Sequence, residues 1–181
     1  QQTPGTVNVM ARGELAHLAE HLIDSAAVLR VVTLDGRECA DLGSGGGLPG
    51  VVLAILRPEA RITLVESRRR KASFLKRIRH ELRLENVDIA HARLESLEGR
   101  GFEIALSRAL GSIERTLGPS LRTLCPGGSL ILFKGPSWDC EKARAVELAR
   151  AEGAVLKRTT EVDLPGTDRV TTFVEFHVEQ G

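Results

Sequence analysis

Apolar residues recur along Glu14–Leu29 as Leu15, Leu18, Leu22, Ala26 and Leu29, at steps of three and four, and this spacing predicts an amphipathic helix. From Glu38 onward the rhythm changes. Short apolar runs, Cys39–Leu42, Ile62–Val65, Val87–Ala90, Ile104–Leu106 and Leu130–Phe133, read as strands buried on both faces. Between them, Leu48–Leu56, Arg69–Leu84, Ile113–Leu124 and Glu141–Glu152 read as helices. Such alternation predicts a parallel sheet covered by helices on both sides. The end of the chain breaks the pattern. Ala154–Val162 and Val170–Val178 are β-rich runs around a Pro165-Gly166 turn with no helix between them, so they should pair antiparallel at one side of the sheet.

A chain of 181 residues is long enough for one domain with its own core. We expect a helical extension over residues 1–34 and the sheet domain over 35–181. Aromatic residues make up only 3% of the chain and Tyr is absent, which excludes an aromatic platform for stacking single-stranded bases. The three cysteines, Cys39, Cys125 and Cys140, are odd in number and form no C-x-x-C, so neither a disulfide framework nor a thiolate metal site is indicated. The longest apolar runs, such as Gly50–Leu56, are too short to cross a bilayer, and Gln1–Asn8 lacks a signal pattern. The expectation is a cytoplasmic monomer without a membrane partner.

Candidate chemistry concentrates in Asp41-Leu42-Gly43-Ser44-Gly45-Gly46-Gly47-Leu48-Pro49-Gly50, between the first predicted strand and the first helix of the sheet. Glycines at 43, 45 and 47 permit positive φ and remove side chains that would block a ligand. Pro49 suits the first turn of the following helix. The loop therefore offers backbone N–H groups at the carboxyl edge of the sheet, where open α/β folds bind ligands. A dinucleotide is the obvious rival ligand, but its G-x-G-x-x-G fingerprint needs a third glycine where Leu48 stands. Asp41, just before the first glycine, also suits a ligand with an ammonium group better than a pyrophosphate. S-adenosylmethionine has that ammonium and no phosphate. Glu66 closes the second strand about 20 residues beyond the first glycine, the place from which a carboxylate accepts both ribose hydroxyls. That requirement is common to adenosine cofactors.

Further along, Ala92-Arg93-Leu94-Glu95 and Ser107-Arg108-Ala109 follow the third and fourth strands and should reach the same edge. The first is placed to enclose an adenine, the second to face the methyl group and the substrate. Net charge is only +1, yet Arg68, Arg69, Arg70, Lys71, Lys76, Arg77, Arg79 and Arg83 crowd into one stretch, either a solvated helix face or a surface that tracks phosphates. His17-Leu18-Ala19-Glu20-His21 matches the inverted zinc-protease pattern H-x-x-E-H, but nothing marks a third ligand, and no metal is expected.

Taken together, these segments resemble the bacterial small-subunit (16S) ribosomal RNA guanine-N7 methyltransferases, the glucose-inhibited division protein B family. The resemblance runs from His17 onward. It rests on His21-Leu22-Ile23-Asp24-Ser25, the Leu48-Pro49-Gly50 ending of the glycine loop, Lys71 with Phe74-Leu75, Leu84–Val87, Arg93-Leu94-Glu95, Ser107-Arg108-Ala109 and Lys134-Gly135. It implies a class I, Rossmann-like methyltransferase fold: a mostly parallel seven-stranded sheet with a C-terminal antiparallel hairpin and a short N-terminal helical extension. It also implies S-adenosylmethionine as cofactor and ribosomal RNA or the small ribosomal subunit as partner. By that similarity the cofactor contacts fall on Gly43, Leu48, Leu94, Glu95 and Arg108, beside Asp41, Ser44, Gly45, Gly47 and Glu66 from the loop argument. By the same similarity Arg108, Lys134 and Arg169 become the substrate-side cations, with Arg108 positioning the reactants; Arg68 and Arg69 join them on the RNA side from the basic stretch. Two other readings stay open: the same fold acting on a small molecule or protein, and a non-catalytic adenosine-ligand binder.

Overall fold

The computed structural model describes residues 18–108, 111–135, 137–166 and 169–180. Seven strands form one sheet: β1 Glu38–Leu42, β2 Arg61–Val65, β3 Val87–Ala90, β4 Phe102–Ser107, β5 Leu124–Lys134, β6 Ala154–Asp163 and β7 Val170–Val178. Their order is β3-β2-β1-β4-β5-β7-β6. The first five run parallel, and β7 lies antiparallel to both β5 and β6. The helices are α1 Leu18–Ala27, α2 Gly50–Leu56, α3 Arg69–Glu81, α4 Ile113–Leu121 and α5 Trp138–Ala151. This is the parallel sheet with a terminal antiparallel pair that the alternation predicts.

The two faces of the sheet carry separate apolar clusters. One joins Ile62, Leu64, Ile104, Leu106 and Phe173 to Leu53 of α2, Leu75 of α3 and Ala27 of α1. The other joins Ala40, Leu130, Val174 and Phe176 to Leu117 of α4 and to Trp138, Ala145 and Ala149 of α5. Val28 and Leu34 belong to the first cluster, so the segment read as an extension shares the core of the sheet from Ala27 onward. Because β7 sits inside the sheet, both of its faces are buried. Glu175 is tolerated there by hydrogen bonds from Ser129, Lys157 and Arg158, which outweigh the effect of burial and hold its carboxyl below the usual range.

Several boundaries differ from the sequence expectation, each for a local reason. Helix α2 starts at Gly50, not Leu48. Pro49 precedes it after a cis Leu48–Pro49 bond, and the Gly50 N–H donates to the Asp41 carboxylate (3.0 Å). Helix α3 stops at Glu81 because the Leu84 N–H turns back to the Arg79 carbonyl through Arg83 at φ 52°. Helix α4 ends at Leu121, and β5 begins at Leu124 rather than Leu130. Pro126 and the two glycines after it hide this strand from a propensity argument. A 3-10 turn over Leu94–Leu97, not expected from the sequence, follows β3.

Candidate functional site

A cleft of about 340 Å³ opens over the carboxyl ends of β1, β2 and β3. Its walls come from the glycine loop (Gly43, Gly45), the end of β2 (Glu66), the start of α3 (Arg68, Lys71) and the 3-10 turn (Leu94, Glu95). Glu66 organises this edge. It is 7% exposed, and each carboxylate oxygen accepts a backbone hydrogen bond, Oε2 from Gly45 (3.1 Å) and Oε1 from Arg68 (2.7 Å). A carboxylate can accept about four such bonds, so both oxygens keep capacity for a ligand. Gly45 carries no Cβ and has φ 55°, which keeps the wall beside Glu66 bare.

Asp41 takes a different position from the one its spacing suggests. Its side chain lies beneath the glycine loop, outside the lining of the cleft, and the residue is 1% exposed. Burial pushes its carboxyl up to about 6, against the lowering effect of the Gly50 hydrogen bond. A Cβ on Gly50 would stand 2.7 Å from Asp41 Oδ2 and 2.2 Å from a Leu64 methyl, so only glycine fits there. Ser44 is buried too, its hydroxyl donating to the Asp41 carbonyl (2.8 Å). Gly47 and Leu48 also lie outside the lining. The loop thus divides into a part that lines the cleft, Gly43 and Gly45, and a part that anchors it to the core, Asp41, Ser44 and Gly50.

Arg108 and Arg169 face α1. Arg108 donates to His21 Nδ1 (2.5 Å), which must present its lone pair because a guanidinium has none, and its Nε lies 3.5 Å from Asp24 Oδ2. Asp24, 6% exposed, also accepts from the Thr171 hydroxyl of β7. Arg169 pairs with Glu20 (2.8 Å). Lys134, at the end of β5, donates to Glu141 of α5 (2.6 Å) and stands 5.8 Å over the Trp138 ring. The His17 half of the H-x-x-E-H pattern lies outside the described residues. Among the described residues no cluster of three His, Cys, Asp or Glu side chains could hold a metal, and no helix is long and apolar enough to cross a membrane.

The basic stretch is not one surface. Arg68 and Lys71 line the cleft, while Arg77 covers the Phe74 ring (5.5 Å) beside Glu81. Lys76 and Arg79 line a second groove with Arg100. Arg69 is exposed at the first position of α3. Arg115 and Thr116 of α4 complete the main cleft from across the sheet. No local pattern marks them, because packing of α4 alone brings them there.

Comparison with known proteins gives this edge a context. Residues 3–168 match the family described as rRNA small subunit methyltransferase G. A relative from Nocardioides sp., named ribosomal RNA small subunit methyltransferase G, is 46% identical over 72% of this chain and 52% of its own length. One of the same name from Acidiphilium cryptum is 39% identical over 78% of this chain and 66% of its own. The chain therefore spans about half to two thirds of these relatives. Among solved structures, magnesium protoporphyrin IX methyltransferase from Synechocystis PCC 6803 with bound SAM aligns with a TM-score of 0.68 at 16% identity, over 98% of this chain and 87% of the other. At that identity the likeness concerns fold, and the fold is that of class I methyltransferases. With a glycine loop and a strand-end carboxylate on the carboxyl edge of this sheet, and a match covering most of its length, the chain belongs to the rRNA small subunit methyltransferase G family.

Proposed function

We propose that this chain is the S-adenosylmethionine-dependent domain of an enzyme that methylates N7 of a guanine in small-subunit ribosomal RNA. One observation carries the cofactor reading: Glu66 is fixed by two backbone amides at the mouth of a cleft walled by bare glycine. The residues suit an adenosine amino acid. Glu66 offers acceptors to a ribose diol, the Leu94 turn offers an apolar wall, and Lys71, Arg93 and Arg115 offer partners for a carboxylate. When bound, S-adenosylmethionine supplies an electrophilic methyl group on a sulfonium.

Guanine N7 has a lone pair and no proton, so the chain needs no general base. Its task is alignment and exclusion of water. Arg108, steadied by His21 and Asp24, serves as the positioning residue. Lys134, Arg169, Arg68 and Arg69 meet the RNA. The family match supports the substrate class.

The decisive experiment uses RNA from cells lacking the gene. N7-methylguanine opens under mild reduction and permits strand cleavage, so the missing site appears as one lost cleavage signal. Purified protein with cofactor should restore it, and Arg108→Ala should fail to while remaining folded. Methyl transfer to a small molecule, with none to free RNA or to small subunits, would overturn the RNA reading.

A further inference from the structure

A second, smaller pocket of about 80 Å³ lies over the ends of β4 and β5. Ser107, Leu132, Phe133 and Lys134 form its floor, and Ile113 and Thr116 of α4 form a wall. Thr116 also lines the larger cleft, so the two spaces share a wall. Accepting the methyltransferase reading above, we infer that this pocket receives the edge of the acceptor base and that Lys134 selects guanine over adenine, with Ser107 meeting N1.

The size suits this occupant, since the volume admits one edge of a planar ring rather than a nucleoside. Leu132 and Ile113, on the same face of the sheet, give apolar contact to a ring. Guanine presents an acceptor, O6, flanked on one side by the N1–H donor and on the other by N7. Lys134 has three protons; one goes to Glu141, leaving donors for O6. Ser107 is 4% exposed, and no described residue hydrogen-bonds its hydroxyl, which is free to accept from N1–H. With O6 and N1 engaged, N7 stays clear on the other side of O6 for the adjoining cleft. Adenine sets an amino donor against the ammonium, and the discrimination rests there, since the Ser107 hydroxyl can donate to adenine N1 as well as accept from guanine N1–H.

Charge supports the assignment. Methyl transfer leaves a positive charge on the guanine ring as the sulfonium becomes a neutral thioether. A bare ammonium beside that ring would oppose the reaction. Paired at 2.6 Å with Glu141, Lys134 supplies a donor without net charge.

Trp138, the single tryptophan of the chain, lies 5.8 Å under Lys134 and reports binding directly. Protein loaded with S-adenosylhomocysteine is titrated with guanosine or adenosine 5′-monophosphate while Trp138 emission is followed. The guanine nucleotide should bind at least about tenfold more tightly, the worth of one hydrogen bond to a charged group. Lys134→Gln should bring the two curves together with S-adenosylhomocysteine affinity unchanged, and Lys134→Arg, which keeps a donor, should retain the preference. Equal curves in the unaltered protein, a guanine preference surviving in Lys134→Gln, or loss of S-adenosylhomocysteine affinity in that variant would each overturn the assignment. Transfer to RNA by the unaltered protein judges the enzymatic reading separately. A protein that methylates RNA yet fails here keeps its function and loses this pocket.

Discussion

Glu66→Gln separates the two tasks that converge on one side chain. The substitution keeps the volume and removes one acceptor oxygen. In the protein, Gly45 and Arg68 each aim a backbone N–H at a different oxygen, at 3.1 and 2.7 Å. Glutamine must turn its NH2 toward one of those donors, so one charge-assisted hydrogen bond becomes a donor–donor conflict. At 7% exposure little water can relieve it. Loss of a bond to a charged group costs about 1.5–3 kcal/mol, so urea unfolding should show roughly 2 kcal/mol of destabilisation. If a ribose diol also donates to Glu66, the amide loses an acceptor there as well. S-adenosylhomocysteine affinity, measured by titration calorimetry on protein still fully folded, should fall at least about tenfold. Destabilisation with affinity unchanged within about twofold would show that Glu66 only braces the loop and does not hold the ribose.

Burial raises the Asp41 carboxyl from 3.8 to about 6, so across that window the folded protein holds a proton that the unfolded chain has released. Its contribution to stability is full below the lower value and is lost as pH rises through the upper one. Asp41→Asn should therefore gain on the parent by about 2–3 kcal/mol between about pH 4 and pH 6.5, read by urea unfolding, and parallel pH profiles would refute the assignment. Asp24→Ala leaves Arg108 without its carboxylate and Thr171 without its acceptor, and should cost about 3 kcal/mol. Thr171→Val should cost about 1 kcal/mol, and a cost near zero for Asp24→Ala would mean α1 is not latched by this pair. Reversing the charges of Lys76 and Arg79, which line one groove, should flatten the salt dependence of RNA binding by about 1.5 in log–log slope. S-adenosylhomocysteine affinity should not change, and an unaltered slope would return that face to plain solvation.

Whatever depended on local period or local composition was legible in the sequence. The alternation of apolar runs and helical spacings gave seven strands and their order along the chain, because burial imposes a period on each element separately. Gly43, Gly45 and Glu66 were legible for the same reason: a bare turn after one strand and a carboxylate ending the next need only their own segments to be recognised. What required the assembled chain was each relation between distant residues. The terminal pair was predictable, but only packing set β7 rather than β6 against β5 and buried Glu175 on an inner strand. Asp41 has the right spacing for a ligand, yet strand pleating and the absence of a Cβ on Gly50 turn it into the core. The basic stretch reads as one patch in one dimension, whereas winding α3 sends Arg68 and Lys71 to the cleft, Arg77 to Phe74 and Lys76 to another groove. Ser107, Thr116 and Lys134 come from a strand end, a helix and another strand end, with no motif in common. Only the register of β4 against β5, with Ser107 opposite Leu132, and the seating of α4 above them make these residues one pocket, because side chains far apart in sequence meet only where the backbone packs.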